Sequence, residues 1–379
     1  MIYLDNASTT KIFDEVNKKI FEINSNQYFN PSALYQNAID TSDIVRAARQ
    51  ELASNMGTTE DHIIFTSGAT EGNNLAIFGF STGKKDAEYI FSEGEHPSVF
   101  NVANSLKAQN KVVNFVKLSN DGTVDCEQLK KILSPHTHFV SIMHVSNETG
   151  AINDIKSLCK MVKDYNPNII FHCDGTQAFG KIPVNVKSIG VDCYTVSAHK
   201  FHGPKGVGAV YVKNIEKLKP LLLGGGQQKD KRSGTENVSG IVGMAVASTI
   251  SINNLDKNYQ DVLSYRNYIR EQIENNCDNF IINEASENSP YILSISFKGI
   301  RGEVLLHMLE KRGVLIGTGS ACSSKKQSNR VLEAMGVSKD YVLGSIRLSF
   351  SSFNSIDEIK IATNELIEQY KLLKENMSK

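Results

Sequence analysis

The sequence has no excess of either charge: lysine and arginine number 41, and so do aspartate and glutamate. A zero balance gives a nucleic-acid or membrane-surface protein no electrostatic footing. No run approaches the roughly 18 apolar residues of a membrane span. The start, MIYLDNASTT, places Asp5 where a secretory leader carries basic and then apolar residues. Six cysteines (Cys126, Cys159, Cys173, Cys193, Cys277 and Cys322) form no CxxC pair and no Cys/His cluster, which argues against a structural zinc site or a disulfide framework. Internal repeats and low-complexity segments are absent, as are a Gly-Lys-Ser/Thr loop and a GxGxxG turn, so neither a Walker nor a Rossmann phosphate site is expected. The reading is a soluble, cytoplasmic protein with reduced thiols, no metal, and no nucleic-acid or membrane partner. At 379 residues it is long enough for more than one lobe.

What is present alternates. Segments 62–67, 88–93, 137–145, 168–174, 191–199 and 206–212 are short apolar runs that read as buried strands, and between most of them apolar residues recur at helical spacing. That order predicts an α/β domain with a mainly parallel sheet covered on both faces, binding ligands at the carboxyl ends of its strands. From about Asn253 the texture changes. Leu255, Tyr259, Val262, Ile269 and Ile273 form one helical stripe, YILSISFKG and SIRLSFS read as strands, and a capping box from Ser355 to Glu358 opens a last helix. A large domain over 13–252 and a smaller α+β domain of 1–12 and 253–379 are therefore expected.

Several strand ends carry reactive groups. Asp174 closes NIIFHCD with Gln177 three residues on; it either caps the next helix or holds a proton on a heterocyclic nitrogen. In SAHKFHGPKG, Lys200 follows Ser197 and His199, and reaches for solvent or, desolvated, serves as a Schiff-base nucleophile. FTSGATEGNN runs strand, Gly68-Ala69-Thr70, helix, which makes a phosphate cup or merely a Thr70 cap. His96 is a structural histidine or a ring that stacks on a flat cofactor and exchanges protons. Arg347, inside an apolar strand, needs an anion, either an internal carboxylate or a substrate's. Finally, Cys322 sits in VLIGTGSACSSKK, a Gly/Ser composition expected of an exposed loop rather than of the buried site a free cysteine usually takes. As a set, these groups describe a pyridoxal-phosphate site for an amino-acid substrate.

With those residues in view, the chain resembles the cysteine desulfurases of the NifS/IscS family, class V of the fold-type-I pyridoxal-phosphate transferases. The likeness runs from YLDNASTT to about Phe353, through NPSA, FTSGATEGNNLAI, EHPSV, SIMHVSNETG, DGTQAFGK, SAHKFHGPKGVGA, GGGQQKDKRSGTEN, GTGSACSS and SIRLSF. It implies that Lys200 holds pyridoxal 5'-phosphate as a Schiff base, Asp174 pairs with the ring nitrogen, Gln177 contacts the ring oxygen, and His96 stacks and moves protons. Ala69, Thr70, Ser197 and His199 would bind the phosphate, with Thr235 contributed by a second subunit of a homodimer. Arg347, Asn147 and Asn30 would take the carboxylate of L-cysteine.

The same resemblance makes Cys322 the thiol that accepts the substrate sulfur as a persulfide, leaving alanine. At a pKa of about 8.5 only roughly 3% of a thiol is ionised at pH 7, so His96 or a proton passed through the substrate is expected to assist. Sulfur would go on to an iron–sulfur scaffold or a tRNA-thiolating enzyme; the chain ends without the C-terminal extension by which the IscS branch meets its scaffold, which leaves both acceptors open. Gly175 stands where many relatives carry alanine, a change expected to loosen the turn after Asp174. The alternatives within the superfamily are a selenocysteine lyase, another class V lyase or an aminotransferase. None of these needs Cys322.

Overall fold

A computed structural model describes residues 1–318 and 329–377. Twelve strands appear among them: β1 (Ile2–Leu4), β2 (Ile63–Thr66), β3 (Glu88–Ser92), β4 (Val112–Val116), β5 (Thr137–Ser141), β6 (Ile170–Asp174), β7 (Cys193–Ser197), β8 (Gly208–Val212), β9 (Phe280–Ile282), β10 (Ile292–Phe297), β11 (Val314–Ile316) and β12 (Ser345–Ser349). Seven build the main sheet in the order β2-β8-β7-β6-β5-β3-β4. Pairings from β4 through β7 are parallel, while β8 runs antiparallel to both β7 and β2. Strands β2, β7 and β8 are buried at every position, as strands covered on both faces must be.

The six apolar runs read from the sequence all contain strands, but β4 was not anticipated. VVNFV lies at the sheet edge with Val112 exposed and only Val116 buried, so it lacks the continuous apolar run that marks an interior strand. Strands β1, β9 and β11 are three residues each, too short for any periodicity to register.

The last third forms its own layers. Strands β12, β10 and β9 make an antiparallel sheet, and β1 pairs in parallel with β11. Ile2 and Leu4 join Val262, Ile269, Leu293, Ile295, Leu305, Ile346, Ile359 and Leu366 in a core separate from the one beneath the main sheet. The helix Ile356–Met377 opens with the anticipated capping box: Glu358 N donates to Ser355 Oγ at 3.2 Å and Ser355 N to Glu358 Oε2 at 3.1 Å. No single helix among the described residues is long and apolar enough to cross a membrane.

Candidate active site

The parallel strands deliver their polar residues to one edge of the sheet. Asp174, the last residue of β6, is only 4% exposed, and such a carboxylate must be hydrogen-bonded. Asn73 Nδ2 donates to its Oδ2 at 2.8 Å and Thr176 N to its Oδ1 at 3.0 Å. The same Asn73 amide reaches Ser98 Oγ at 2.9 Å, and that hydroxyl lies 2.8 Å from His96 Nδ1. Ser98 N donates to Nδ1 at 3.1 Å, so His96 caps the helix Pro97–Ala108 with its ring nitrogen. A neutral ring whose Nδ1 accepts carries its proton on Nε2. Burial pushes the His96 pKa down, Asp174 opposes this in part and Lys200 adds to it, which keeps the ring uncharged near neutrality. Asn73 and Ser98, which join Asp174 to His96, were not identified from the sequence; an amide on a helix names no partner until the fold supplies one.

Lys200 follows β7 on a short turn, Ala198–Lys200. Its Nζ donates to Ala7 O at 2.6 Å and Ser8 O at 2.7 Å. Gln177 Nε2 donates to the same Ala7 carbonyl at 2.8 Å, which brings Gln177 and Lys200 to one point on the N-terminal segment. Behind Gln177 lies Lys181, 5% exposed, donating to Gln177 Oε1 at 2.7 Å.

Gly68 precedes the helix Ala69–Gly79 with φ +152°, a conformation that favours glycine, and no side chain caps the first turn. A Cβ at Gly68 would meet only Ser197 Oγ, at 3.7 Å, so the strand-end hydroxyl faces the open N-terminus of that helix. Ala69 and Thr70 occupy this first turn, Thr70 exposed. His199 Nδ1 is 3.2 Å from Thr9 Oγ1, and burial, then Lys200, hold its pKa down to about 4. Thr235 is exposed on the segment before the helix Val238–Asn253 and makes no hydrogen bond to these groups among the described residues.

Arg347 lies on β12, buried at 7% exposure. Its NH2 donates to Asp5 Oδ1 and Ser8 Oγ, each at 2.9 Å, and its NH1 to Asn147 O at 2.8 Å, with Glu148 Oε1 at 3.9 Å. Its buried Nε has no partner among the described residues. Asn147 therefore meets Arg347 through its carbonyl, while its side chain donates to Glu148 at 2.8 Å. Burial raises the Glu148 carboxyl above its usual range, and Arg347 pulls in the other direction. Asn30 is exposed and accepts from Ser32 N at 3.0 Å; it is not brought to this cluster.

Cys322 falls within residues 319–328 and lies outside the described residues. The chain on either side is fixed at the site. Gly317 exchanges backbone hydrogen bonds with Arg347 at 2.9 and 2.8 Å, and Asn329 Nδ2 donates to Glu148 Oε2 at 3.3 Å. Arg330 donates to the carbonyls of Glu93 and Glu95, next to His96.

The expectation for Gly175 needs correction. A Cβ there would lie 2.0 Å from Tyr194 Cε1, so glycine is required by the fully buried Tyr194 ring rather than loosening the turn.

The model of the class-V aminotransferases matches residues 2–361. A cysteine desulfurase IscS of Dictyoglomus turgidum is 37% identical over 96% of this chain and 93% of its own. Among solved structures, a NifS-like protein is 32% identical with a TM-score of 0.92, covering 98% of this chain and 100% of the other. The protein SspA, solved in complex with cysteine, is 27% identical with a TM-score of 0.83, covering 94% of this chain and 100% of the other. With the lysine, aspartate and histidine at strand ends of the main sheet and the arginine of β12 meeting the same N-terminal segment as the lysine, these likenesses settle the family: the chain belongs to the class-V aminotransferases and, among them, to the NifS- and IscS-type cysteine desulfurases.

Proposed function

We propose that this chain converts L-cysteine to L-alanine with pyridoxal phosphate and takes up the sulfur as a persulfide on Cys322. The residues present fit the cofactor. Lys200 offers an amine, Asp174 a buried carboxylate held by two donors, and the uncapped first turn of Ala69–Gly79 with Ser197 an anion cup kept open by Gly68. When bound, pyridoxal phosphate supplies an electron sink for the pair left on the substrate's α-carbon.

The side chains divide the remaining work. Asp174 would pair with the ring nitrogen, Gln177 with the ring oxygen, and Ala69, Thr70, Ser197 and His199 with the phosphate. Arg347 receives the substrate carboxylate on its guanidinium fork. Lys200 Nζ removes the α-proton. The Cys322 thiolate attacks the substrate sulfur, an S–S bond forms as the C–S bond breaks, and His96 Nε2 handles a proton nearby. The observation that carries this reading is the pinning of Gly317 on Arg347 and Asn329 on Glu148: the segment bearing Cys322 leaves and rejoins the chain at the substrate's carboxylate site.

A homodimer in which Thr235 and Asn30 complete a partner's site accounts for two exposed residues that meet none of the cluster within their own chain. The sulfur acceptor is an iron–sulfur scaffold or a tRNA-thiolating enzyme, and the setting cytoplasmic. The test is purified protein with L-cysteine and a reductant, assayed for alanine and sulfide together, with Cys322→Ala alongside. Equal yields of the two, lost in the variant while cofactor absorbance persists, support the reading. Pyruvate and ammonia, or full activity in the variant, would make it a lyase.

A further inference from the structure

Lys181 is a lysine at 5% exposure whose Nζ makes one hydrogen bond among the described residues, to Gln177 Oε1 at 2.7 Å, and lies 5.8 Å from the centre of the Tyr291 ring. No carboxylate pairs with it among the described residues. Lysines are almost never buried without such a partner, so its position calls for a reason. The reason is legible in the chemistry of the amide. Burial, then Lys200 and Arg347, bring the Lys181 pKa down to about 7, and below that pH its ammonium can only donate, so it takes the carbonyl oxygen of Gln177 and turns the NH2 the other way. One N–H of that NH2 goes to Ala7 O, the carbonyl shared with Lys200, and a second remains. Ala7 O can only accept and so favours the same orientation, which Lys181 fixes from the oxygen side.

We propose that Lys181 is a positioning residue that locks Gln177 as a hydrogen-bond donor toward the cofactor, an inference that rests on the proposed contact between Gln177 and the cofactor ring oxygen. The spacing agrees: Gln177 and Lys181 are four residues apart, with Ile182 N and Lys181 N both bonded to Ala178 O, so one turn stacks the second side chain over the first. The groups that share its electrostatic surroundings are Lys200 and Arg347, both cationic, with His199 and His202, both held neutral by burial. Tyr291 contributes its ring face. In this company the oxygen of Gln177 is the acceptor that Lys181 engages.

The test is a double-mutant cycle in the full chain loaded with pyridoxal phosphate. The readouts are the cofactor dissociation constant and the pH midpoint of its visible absorbance, neither of which requires turnover. Lys181→Met keeps the volume and removes the donor. It should weaken cofactor binding about tenfold and move the absorbance midpoint upward, and Gln177→Leu should do the same; the double variant should be no worse than either alone, because the lysine acts through the amide. Gln177→Glu retains a partner for Lys181, and so the fold around it, yet presents no donor; it should match Gln177→Leu. Additive losses in the double variant, or a Lys181→Met variant indistinguishable from the parent while Gln177→Leu is impaired, would overturn the inference. If Gln177→Leu itself leaves both readouts unchanged, the proposed contact between Gln177 and the cofactor is what fails.

Discussion

Replacing Gly175 by alanine tests the packing directly behind Asp174. The added methyl would sit 2.0 Å from Tyr194 Cε1 and Cζ and 2.4 Å from its hydroxyl. Carbon atoms in contact need about 3.5 Å, so the ring has to retreat by roughly 1.5 Å. Tyr194 is fully buried and its hydroxyl holds His144 Nδ1 at 2.7 Å, so retreat strains the core and breaks that bond. Overpacking of this kind costs about 1–3 kcal/mol and the hydrogen bond about 1, giving about 2–4 kcal/mol in all. Urea denaturation followed by circular dichroism should show an earlier midpoint, the shift multiplied by the m-value giving that amount. Tyr194→Leu, which clears the space, should restore part of the loss in the Gly175→Ala background, although it costs stability alone. Gly175→Ala unfolding at the parent's urea concentration, or strictly additive costs in the double variant, would refute the packing argument.

Three further outcomes follow from the geometry. Burial holds His144 and His202 to pKa values of about 4 and pushes His172 down as well, against about 6.5 when unfolded. Between those values the unfolded chain binds protons that the native one does not, so stability is intact above about pH 6.5 and falls on acidification toward 4, by about 1.4 kcal/mol per pH unit for each ring. Urea midpoints across that range check this, and His144→Gln should flatten the slope. Arg347→Lys keeps the charge and loses the fork, so KM for cysteine should rise about 10- to 100-fold, measured by steady-state sulfide release. Asn73→Ala removes a donor to Asp174 and the link to Ser98, and should weaken cofactor binding about tenfold, read by equilibrium dialysis.

Legibility tracked how local each signal was. Apolar runs such as IIFT and CYTVS announced strands because burial on both faces writes itself into every position. Edge strand β4 carried no such run, and β1 found its partner, β11, more than 300 residues away. In the site, Lys200, Asp174, His96 and Arg347 stood out because each is chemically out of place at a strand end or inside an apolar run. Their supports did not. Asn73, Ser98, Ala7 and Asp5 are ordinary residue types that acquire meaning only when topology sets them against a reactive group, and a backbone carbonyl such as Ala7 O has no side-chain signature at all.

That division explains why the N-terminal segment matters beyond its length. Asp5 and Ser8 bind Arg347, and the carbonyls of Ala7 and Ser8 receive Lys200 and Gln177, so three residues tie the arginine to the lysine and the amide across the boundary between the two cores. A carboxylate arriving at Arg347 competes with Asp5 for the guanidinium, and whatever it displaces is one or two peptide units from the carbonyls that orient Lys200. On the proposed role of Arg347, substrate binding and the placement of the lysine are thereby joined through the backbone of this segment. Substitutions at Asp5 should accordingly disturb both cysteine affinity and the cofactor's absorbance, although Asp5 itself is placed to touch only the first of the two groups. A variant Asp5→Asn that altered KM alone, with the absorbance and its pH midpoint unmoved, would show that the segment does not transmit the change.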